Sequence, residues 1–234
     1  MKKIVDSGRQ GGNFSMAEVF RFLKELRENN NREWFHAHKE WYLTVKAGHE
    51  DFINRVIPAL AVREPEVDGL MAKDCIFRIY RDIRFSPNKE PYKTHIGAYM
   101  VKGGKQSPRA GYYVHIEPGN CMIGGGIWCP EPSLLKALRK DVYDNIDEFT
   151  GIIRDADFQK YYVLEGEKLK KVPAPFPGDF PEGDLLKYKS YTVANDVPDS
   201  FFEGEDVVER CVERLLLMQP FNRFLNYTVE ETWR

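Results

Sequence analysis

The stretch from Cys75 to Trp128 alternates apolar and polar side chains with a period of two, and turn-forming residues divide it. Four segments carry the alternation: CIFRIYRDIRF, HIGAYMV, GYYVHIE and CMIGGGIW. The joints between them, SPNKEP, KGGKQSPRAG and PGN, contain the Pro, Gly, Asn and Ser residues that turns favour. A period of two is that of a β-strand, and short connections join antiparallel neighbours. The stretch therefore predicts a four-stranded antiparallel meander.

Helical patterns flank this strand block on both sides. A first helix is expected to begin at a capping box formed by Ser15 and Glu18, and a longer helical region follows with expected breaks at Gly48 and Pro58. After the strands we expect helices over PEPSLLKALRKDV and NIDEFTGIIRD, a hairpin at YYVLEGEKLKKV, a strand at SYTVAND and a C-terminal helix interrupted at Pro220. Such segregation predicts an α+β fold: a central, mostly antiparallel sheet of about four or more strands, with N- and C-terminal helices packed on it.

The composition of the 234-residue chain favours one domain over residues 1–234, with a flexible arm over residues 1–13. The formal charge is only −2, which argues against a protein that coats nucleic acid or an anionic membrane through bulk charge. No window approaches the roughly 18 apolar residues of a membrane span, and the first residues lack the apolar run of a secretory signal. We therefore expect a cytoplasmic protein that is not bound to membranes.

The four cysteines are scattered and form no C-x-x-C pair. In a reducing compartment we expect Cys75, Cys121, Cys129 and Cys211 to be buried thiols that act as small apolar residues. No metal site is predicted from them, and the sequence identifies no cofactor.

Alternation along the first and third predicted strands places polar side chains on a shared sheet face. That face is expected to carry Arg78, Tyr80, Asp82, Arg84, Tyr113, His115 and Glu117. Arg81 falls instead in the apolar row of the first strand. A buried guanidinium without a partner is very costly, so Arg81 needs a carboxylate, an anionic ligand or a bulge that turns it outward.

The fourth predicted strand contains three consecutive glycines, Gly124, Gly125 and Gly126. Glycines inside a strand allow another backbone or a ligand to approach closely. The run lacks the G-K-[ST] of a phosphate-binding loop and the G-x-G-x-x-G of a dinucleotide fold.

The stretch from Phe77 to His95 carries five basic and two acidic side chains, a net charge of +3 in a chain of charge −2. Its arginines suit the oxygens of phosphate or carboxylate, or else they form an internal ion-pair network that fixes the strand. The candidate anion-binding residues are Arg78, Arg81, Arg84, Lys89, Tyr92, Lys93 and His95.

Three residues are candidates for catalysis. His115 and Glu117, two apart on one strand, share a face with Asp82, as an acid–base pair or two metal ligands would require. The alternative is a hydrogen-bonded polar face, which a motif this short favours. His95 could join them from the neighbouring strand, depending on the register.

The residues RIYRDIRFSPNKEPY resemble the hallmark of a bacterial protein family, Domain of Unknown Function 2461. The hallmark is R-x-x-R-D-x-R-F, followed by any two residues, then Asp or Asn directly before Lys, then any two residues and Tyr. PYKTHIGA, NNNREWF, GYYVHIEPG, GGGIWCPEP and LLKYKSYTV are also similar to the family. The resemblance implies one full-length domain and no established activity, substrate or cofactor.

Three functions are therefore open. The first is binding of a small anionic molecule at the Arg/Asp/His-lined face, with or without catalysis. The second is a module that binds or processes nucleic acid, since Tyr80, Tyr92, Tyr112 and Tyr113 accompany the basic stretch. The third is a structural or interaction domain in which the motif serves folding. The oligomeric state is not predicted.

Overall fold

A five-stranded antiparallel sheet lies at the centre of the molecule in the computed structural model, which describes residues 16–232. Its strands are β1 (Ile96–Met100), β2 (Gly111–Ile116), β3 (Cys121–Ile127), β4 (Val163–Glu165) and β5 (Tyr191–Val197). Their order across the sheet is β1-β2-β3-β5-β4. The last three segments of the predicted meander are β1, β2 and β3, and SYTVAND is β5.

Nine α-helices surround the sheet within residues 16–232. They are α1 (Met16–Glu28), α2 (Arg32–Ala37), α3 (Lys39–Ala61), α4 (Ala72–Cys75), α5 (Pro132–Asp144), α6 (Ile146–Ile153), α7 (Ala156–Gln159), α8 (Val207–Leu216) and α9 (Gln219–Thr232). Short 3-10 helices occupy Pro65–Val67, Gly183–Lys187 and Asp199–Phe202. Helices α3, α8 and α9 pack on the sheet, so the predicted α+β class, with helices from both ends of the chain on an antiparallel sheet, is confirmed.

Alternation along the strands decides which face the helices cover. Tyr112, Val114 and Ile116 are buried on the helix-covered face of β2, as predicted. Helix α9 is fixed to the start of this strand because Asn226 accepts a hydrogen bond from the Ala110 backbone N–H at 2.7 Å and donates one back to its carbonyl at 3.1 Å. The opposite face of the same strand carries Tyr113 and His115.

The prediction of a strand over CIFRIYRDIRF is wrong. Residues 76–94, called the motif segment below, contain only two isolated bridges, Ile76 to Ala98 and Tyr80 to Tyr92. Of the predicted apolar row, Ile79 is buried, but Phe85 is 94% exposed. A single bridge to the edge strand β1 cannot order a whole strand, so the segment folds back on itself as an irregular hairpin.

Two further expectations about local structure are corrected. The long helical region breaks at His38 and not at Gly48 or Pro58, since α3 continues through both of these residues. The His38 ring stacks on the Trp34 ring with centroids 4.1 Å apart, and its Nδ1 lies 2.8 Å from the Trp34 carbonyl oxygen. The segment YYVLEGEKLKKV supplies one strand, β4, and only a bridge at Lys168 in place of a second strand. The C-terminal helix does divide near Pro220, as expected.

The remaining expectations concern the chain ends and the cysteines. The capping residue Ser15 and the arm over residues 1–13 lie outside the described residues. Cys75, Cys121 and Cys211 are buried thiols, but Cys129 is exposed, contrary to expectation. Within residues 16–232, no helix has the combined length and apolar character needed to cross a membrane.

Candidate functional site

The motif segment is held against the N-terminal helices through Tyr92. Asn30, in the turn between α1 and α2, donates a hydrogen bond to the Tyr92 carbonyl at 3.0 Å and accepts one from its N–H at 3.1 Å. The Tyr92 ring stacks on Phe35 of α2, with ring centroids 3.9 Å apart. The neighbouring Asn31 caps α2 by accepting a hydrogen bond from Trp34 N–H. The asparagine run therefore joins the helical layer to the motif.

A cleft of about 340 Å³ lies between the motif segment and α2. We call it the arginine cleft, and it is lined by Arg32, His36, Tyr80, Arg81, Ile83, Pro91 and Tyr92. It therefore offers two guanidinium groups, an imidazole and two phenol rings. Of these, Tyr80 is 51% exposed and presents its ring at the surface.

Positive charge predominates in the arginine cleft. Arg81, the anomaly of the sequence pattern, is partly buried and meets the carboxylate of Glu90 at 3.5 Å, a long single contact. The Arg32 side chain makes no hydrogen bond or ion pair with any residue in the range 16–232. Among those residues, Glu90 is the one carboxylate within ion-pair distance of either guanidinium group, so donors remain for an anionic ligand.

The other basic residues of the motif are not brought to the arginine cleft. At the tip of the segment, the Arg84 guanidinium donates two hydrogen bonds to Asp82, at 3.0 and 2.7 Å, and both side chains are exposed. Lys89 donates to the Ile83 carbonyl at 3.0 Å. Arg78 is exposed and unpaired among the described residues. The predicted common face of Arg78, Asp82 and Arg84 with the β2 residues is therefore not formed.

Hydrogen bonding also stabilises the ionised form of Asp82. The bonds from Arg84 lower the pKa of the Asp82 carboxyl from its usual 3.8 to about 2. Its oxygens already accept from Arg84. This arrangement fits a structural role at the tip better than the catalytic role expected from the sequence.

His95 does meet His115, because β1 and β2 pair in the register that sets Gly97 opposite His115. The two imidazole rings lie 4.4 Å apart between centroids, and His115 Nε2 lies 3.3 Å from Glu117 Oε2. One donor atom from each of these three residues lies within 4.8 Å of the other two. We call His95, His115 and Glu117 the histidine cluster; they are the side chains here that could hold a metal ion.

Neighbouring side chains fix the orientation of the histidine cluster. The Tyr113 hydroxyl lies 2.8 Å from His115 Nδ1. Thr94 donates to Glu117 Oε1 and Asn120 donates to Glu117 Oε2, each at 2.8 Å. Gly97 makes room for this arrangement, since a Cβ at that position would lie 2.7 Å from the Tyr113 hydroxyl.

The electrostatics of the cluster keep both rings neutral at neutral pH. Burial, followed by the charge of His115, lowers the pKa of His95 to about 4. Burial also lowers the pKa of His115, although Glu117 acts in the opposite direction. Burial alone would raise the pKa of Glu117, but hydrogen bonds from Asn120 and Thr94 outweigh it and the pKa is lowered. The cluster therefore combines two neutral imidazoles with one carboxylate.

Lys93, near the end of the motif segment, lies close enough to the histidine cluster for its charge to act there. Its ammonium group sits 5.4 Å from the centroid of the Phe77 ring. Burial, reinforced by the charge of Arg78, lowers the pKa of the Lys93 amine. The charge of Lys93 also acts on both histidines, so the cluster lies in a locally positive environment.

The glycine run serves the packing of strands. A Cβ at Gly124 would lie 2.7 Å from the Val193 carbonyl oxygen, and one at Gly125 would lie 2.5 Å from that of Gly111. At Gly126 the backbone has a φ of +103°, and a Cβ would collide with the Tyr191 carbonyl. The close approach left open by the sequence is therefore that of the neighbouring backbones.

Sequence reasoning did not assign Arg32 or His36 to the site. The available signal was the position of Arg32 inside NNNREWF, one of the segments that resemble the family, with His36 directly after it. It also missed Thr94 and Asn120 as partners of Glu117. These two are separated by 23 and 3 residues from Glu117, and only the hairpin geometry brings them to it.

These features define an α+β protein with a helix-covered antiparallel sheet, a histidine cluster at β1 and β2, and an arginine cleft between the motif segment and α2. The chain belongs to the family described as conserved hypothetical protein (DUF2461), whose model matches residues 18–224. A search of curated proteins found no match, and neither did a search of solved structures.

Proposed function

We propose that the protein binds a small anionic molecule, bearing phosphate or carboxylate, in the arginine cleft. The observation that carries this proposal is the surplus of guanidinium groups there: Arg32 and Arg81 both line the cleft, and within residues 16–232 only Arg81 has a carboxylate partner, Glu90. Guanidinium groups donate paired hydrogen bonds to such anions. The phenol rings of Tyr80 and Tyr92 add flat apolar surface for the rest of the ligand.

Titration calorimetry with inorganic phosphate, AMP and succinate tests this function. At least one of these probes should bind, and Arg81→Gln should weaken its binding by about ten- to a hundredfold, the worth of a charged hydrogen bond. Arg84→Gln is the matched control, because Arg84 lies outside the arginine cleft and already binds Asp82. Binding by none of the three probes, or equal binding by both variants, would contradict the proposal.

Catalysis on the bound molecule would need an acid or base. His95 and His115 are the candidates, because their lowered pKa values keep both rings in the neutral form that can accept a proton. The proposal therefore includes an enzymatic role as an extension of binding. The cytoplasmic location expected from the sequence stays a prediction.

A second candidate function is binding of single-stranded nucleic acid at the tip of the motif segment. Phe85 is almost fully exposed there, and the Arg84 guanidinium lies 5.9 Å from the centroid of its ring. Exposed rings beside cations form stacking surfaces for bases. Fluorescence anisotropy with labelled oligo-dT and oligo-U at low salt should then show binding that Phe85→Ser weakens and Arg32→Gln does not. No binding at low salt would remove this candidate.

A further inference from the structure

We infer that the histidine cluster is a site for a divalent first-row transition metal ion, with Zn²⁺ as its probe. Two imidazoles and one carboxylate form a donor set that zinc takes in open, water-accessible sites. Such a site leaves a fourth position for water or for a ligand oxygen. The inference does not depend on the arginine cleft, which uses other residues.

The distances within the histidine cluster fit this ion. Zinc bonds of about 2.0–2.1 Å at tetrahedral angles place two donor atoms about 3.3 Å apart. His115 Nε2 and Glu117 Oε2 are separated by 3.3 Å. The third donor, on His95, lies within 4.8 Å of both, so all three donors border one space that an ion could occupy.

The groups around the donors are those that a metal site needs. Metal-binding histidines are held by a hydrogen bond at the other ring nitrogen, and bound carboxylates are themselves hydrogen-bonded. Tyr113 meets His115 Nδ1, which leaves Nε2 for the ion, and Thr94 holds the Glu117 oxygen that does not face the histidines.

Positive side chains near the cluster limit which fourth ligand fits. Arg27 lies 3.5 Å from Glu117 Oε1, and the charges of Lys93 and Arg81 act on His95. These groups oppose a bare dication. They favour an ion whose charge is balanced by Glu117 and by an anionic fourth ligand such as hydroxide or an anion oxygen.

Calorimetric titration of the full chain with Zn²⁺, after removal of bound metal by EDTA, tests the inference. Wild type should bind one equivalent, and Co²⁺ in the same site should give visible absorption from a low-symmetry cobalt centre. Mg²⁺ should bind far more weakly, because imidazole is a poor ligand for it. His95→Ala and Glu117→Gln should each weaken zinc binding at least tenfold.

Two further variants make the result specific. His36→Ala removes an exposed imidazole outside the histidine cluster and should leave zinc binding unchanged. Tyr113→Phe removes only the contact to His115 and should weaken binding by about 10–100-fold. Circular dichroism and the metal-free melting temperature show that each variant is folded. His95→Ala is the primary variant, because the His95 side chain is partly exposed and its loss disturbs the core least. Absence of one-to-one zinc binding, or equal affinity in wild type, His95→Ala and Glu117→Gln, would overturn the inference.

Discussion

Asn30 and Tyr92 exchange two hydrogen bonds across 62 residues of sequence, at 3.0 and 3.1 Å. This pair fixes the second arm of the motif segment to the turn between α1 and α2. The motif segment and α2, which begins directly after this turn, form the two walls of the arginine cleft, so the cleft depends on the pair.

Asn30→Ala should therefore destabilise the protein and loosen the motif segment. Loss of partners for the Tyr92 N–H and carbonyl is expected to cost about 1–3 kcal/mol of unfolding free energy. Urea denaturation measures that change, and limited proteolysis reports cleavage within residues 76–94. Asn29→Ala is the control, since the Asn29 side chain donates only to the Glu25 carbonyl and makes no contact with the motif segment among the hydrogen bonds of residues 16–232. Equal effects at the two positions would show that the pair does not hold the segment.

Arg84 and Arg109 should respond differently to the same substitution. Arg84 is exposed over 76% of its side chain, so Arg84→Gln should leave the unfolding free energy unchanged within error. The Arg109 side chain is only 12% exposed and donates to both oxygens of Glu66 at 2.7 Å and to Glu230 at 2.9 Å. Arg109→Gln should cost about 1.5–3 kcal/mol in urea denaturation. A large loss for Arg84→Gln would support a motif that serves folding.

The buried His49 should make stability depend on pH. Burial lowers its pKa from 6.5 to about 4, and its Nε2 has no hydrogen-bond partner among the described residues. The unfolded chain therefore binds the proton more readily, and stability falls as pH falls from 6.5 towards 4, by roughly 3 kcal/mol at 1.36 kcal/mol per pKa unit.

Denaturation of wild type and His49→Leu across that pH range checks this dependence. The variant should show a shallower loss of stability, and the exposed-residue control His36→Gln should follow wild type. Identical slopes for wild type and His49→Leu would exclude His49 as a source of the pH dependence.

Gly126 and Gly119 both have positive φ angles, +103° and +77°, but differ in their surroundings. A Cβ at Gly119 would meet nothing within 4 Å, whereas one at Gly126 would collide with the backbone of β5. Gly119→Ala should therefore cost only backbone strain, about 1–3 kcal/mol. Gly126→Ala should cost clearly more, as measured by thermal or urea unfolding. Equal losses would mean that the sheet adjusts to the added methyl group.

The extent of strand pairing explains which parts of the fold could be predicted from the sequence. Strands β1 to β3 each pair along their length, so their side chains alternate regularly between the two faces of the sheet. The motif segment has similar alternation in sequence but touches β1 at one bridge only. Its apolar residues Phe77 and Phe85 are exposed, because no second layer covers them. Periodicity alone cannot distinguish these two cases.

The residues of the candidate site also fall into those that the sequence could place and those that it could not. The sequence by itself determined that His115 and Glu117 share a strand face, that the chain is α+β, and that charge concentrates between Phe77 and His95. Only the tertiary structure decided that His95 joins that pair, that Asp82 binds Arg84 instead, and that Arg32 and Arg81 form the arginine cleft. The physical reason is that alternation along a strand is a local property of the backbone. Strand register and the folding of a loop on a helix depend on contacts between residues far apart in the chain.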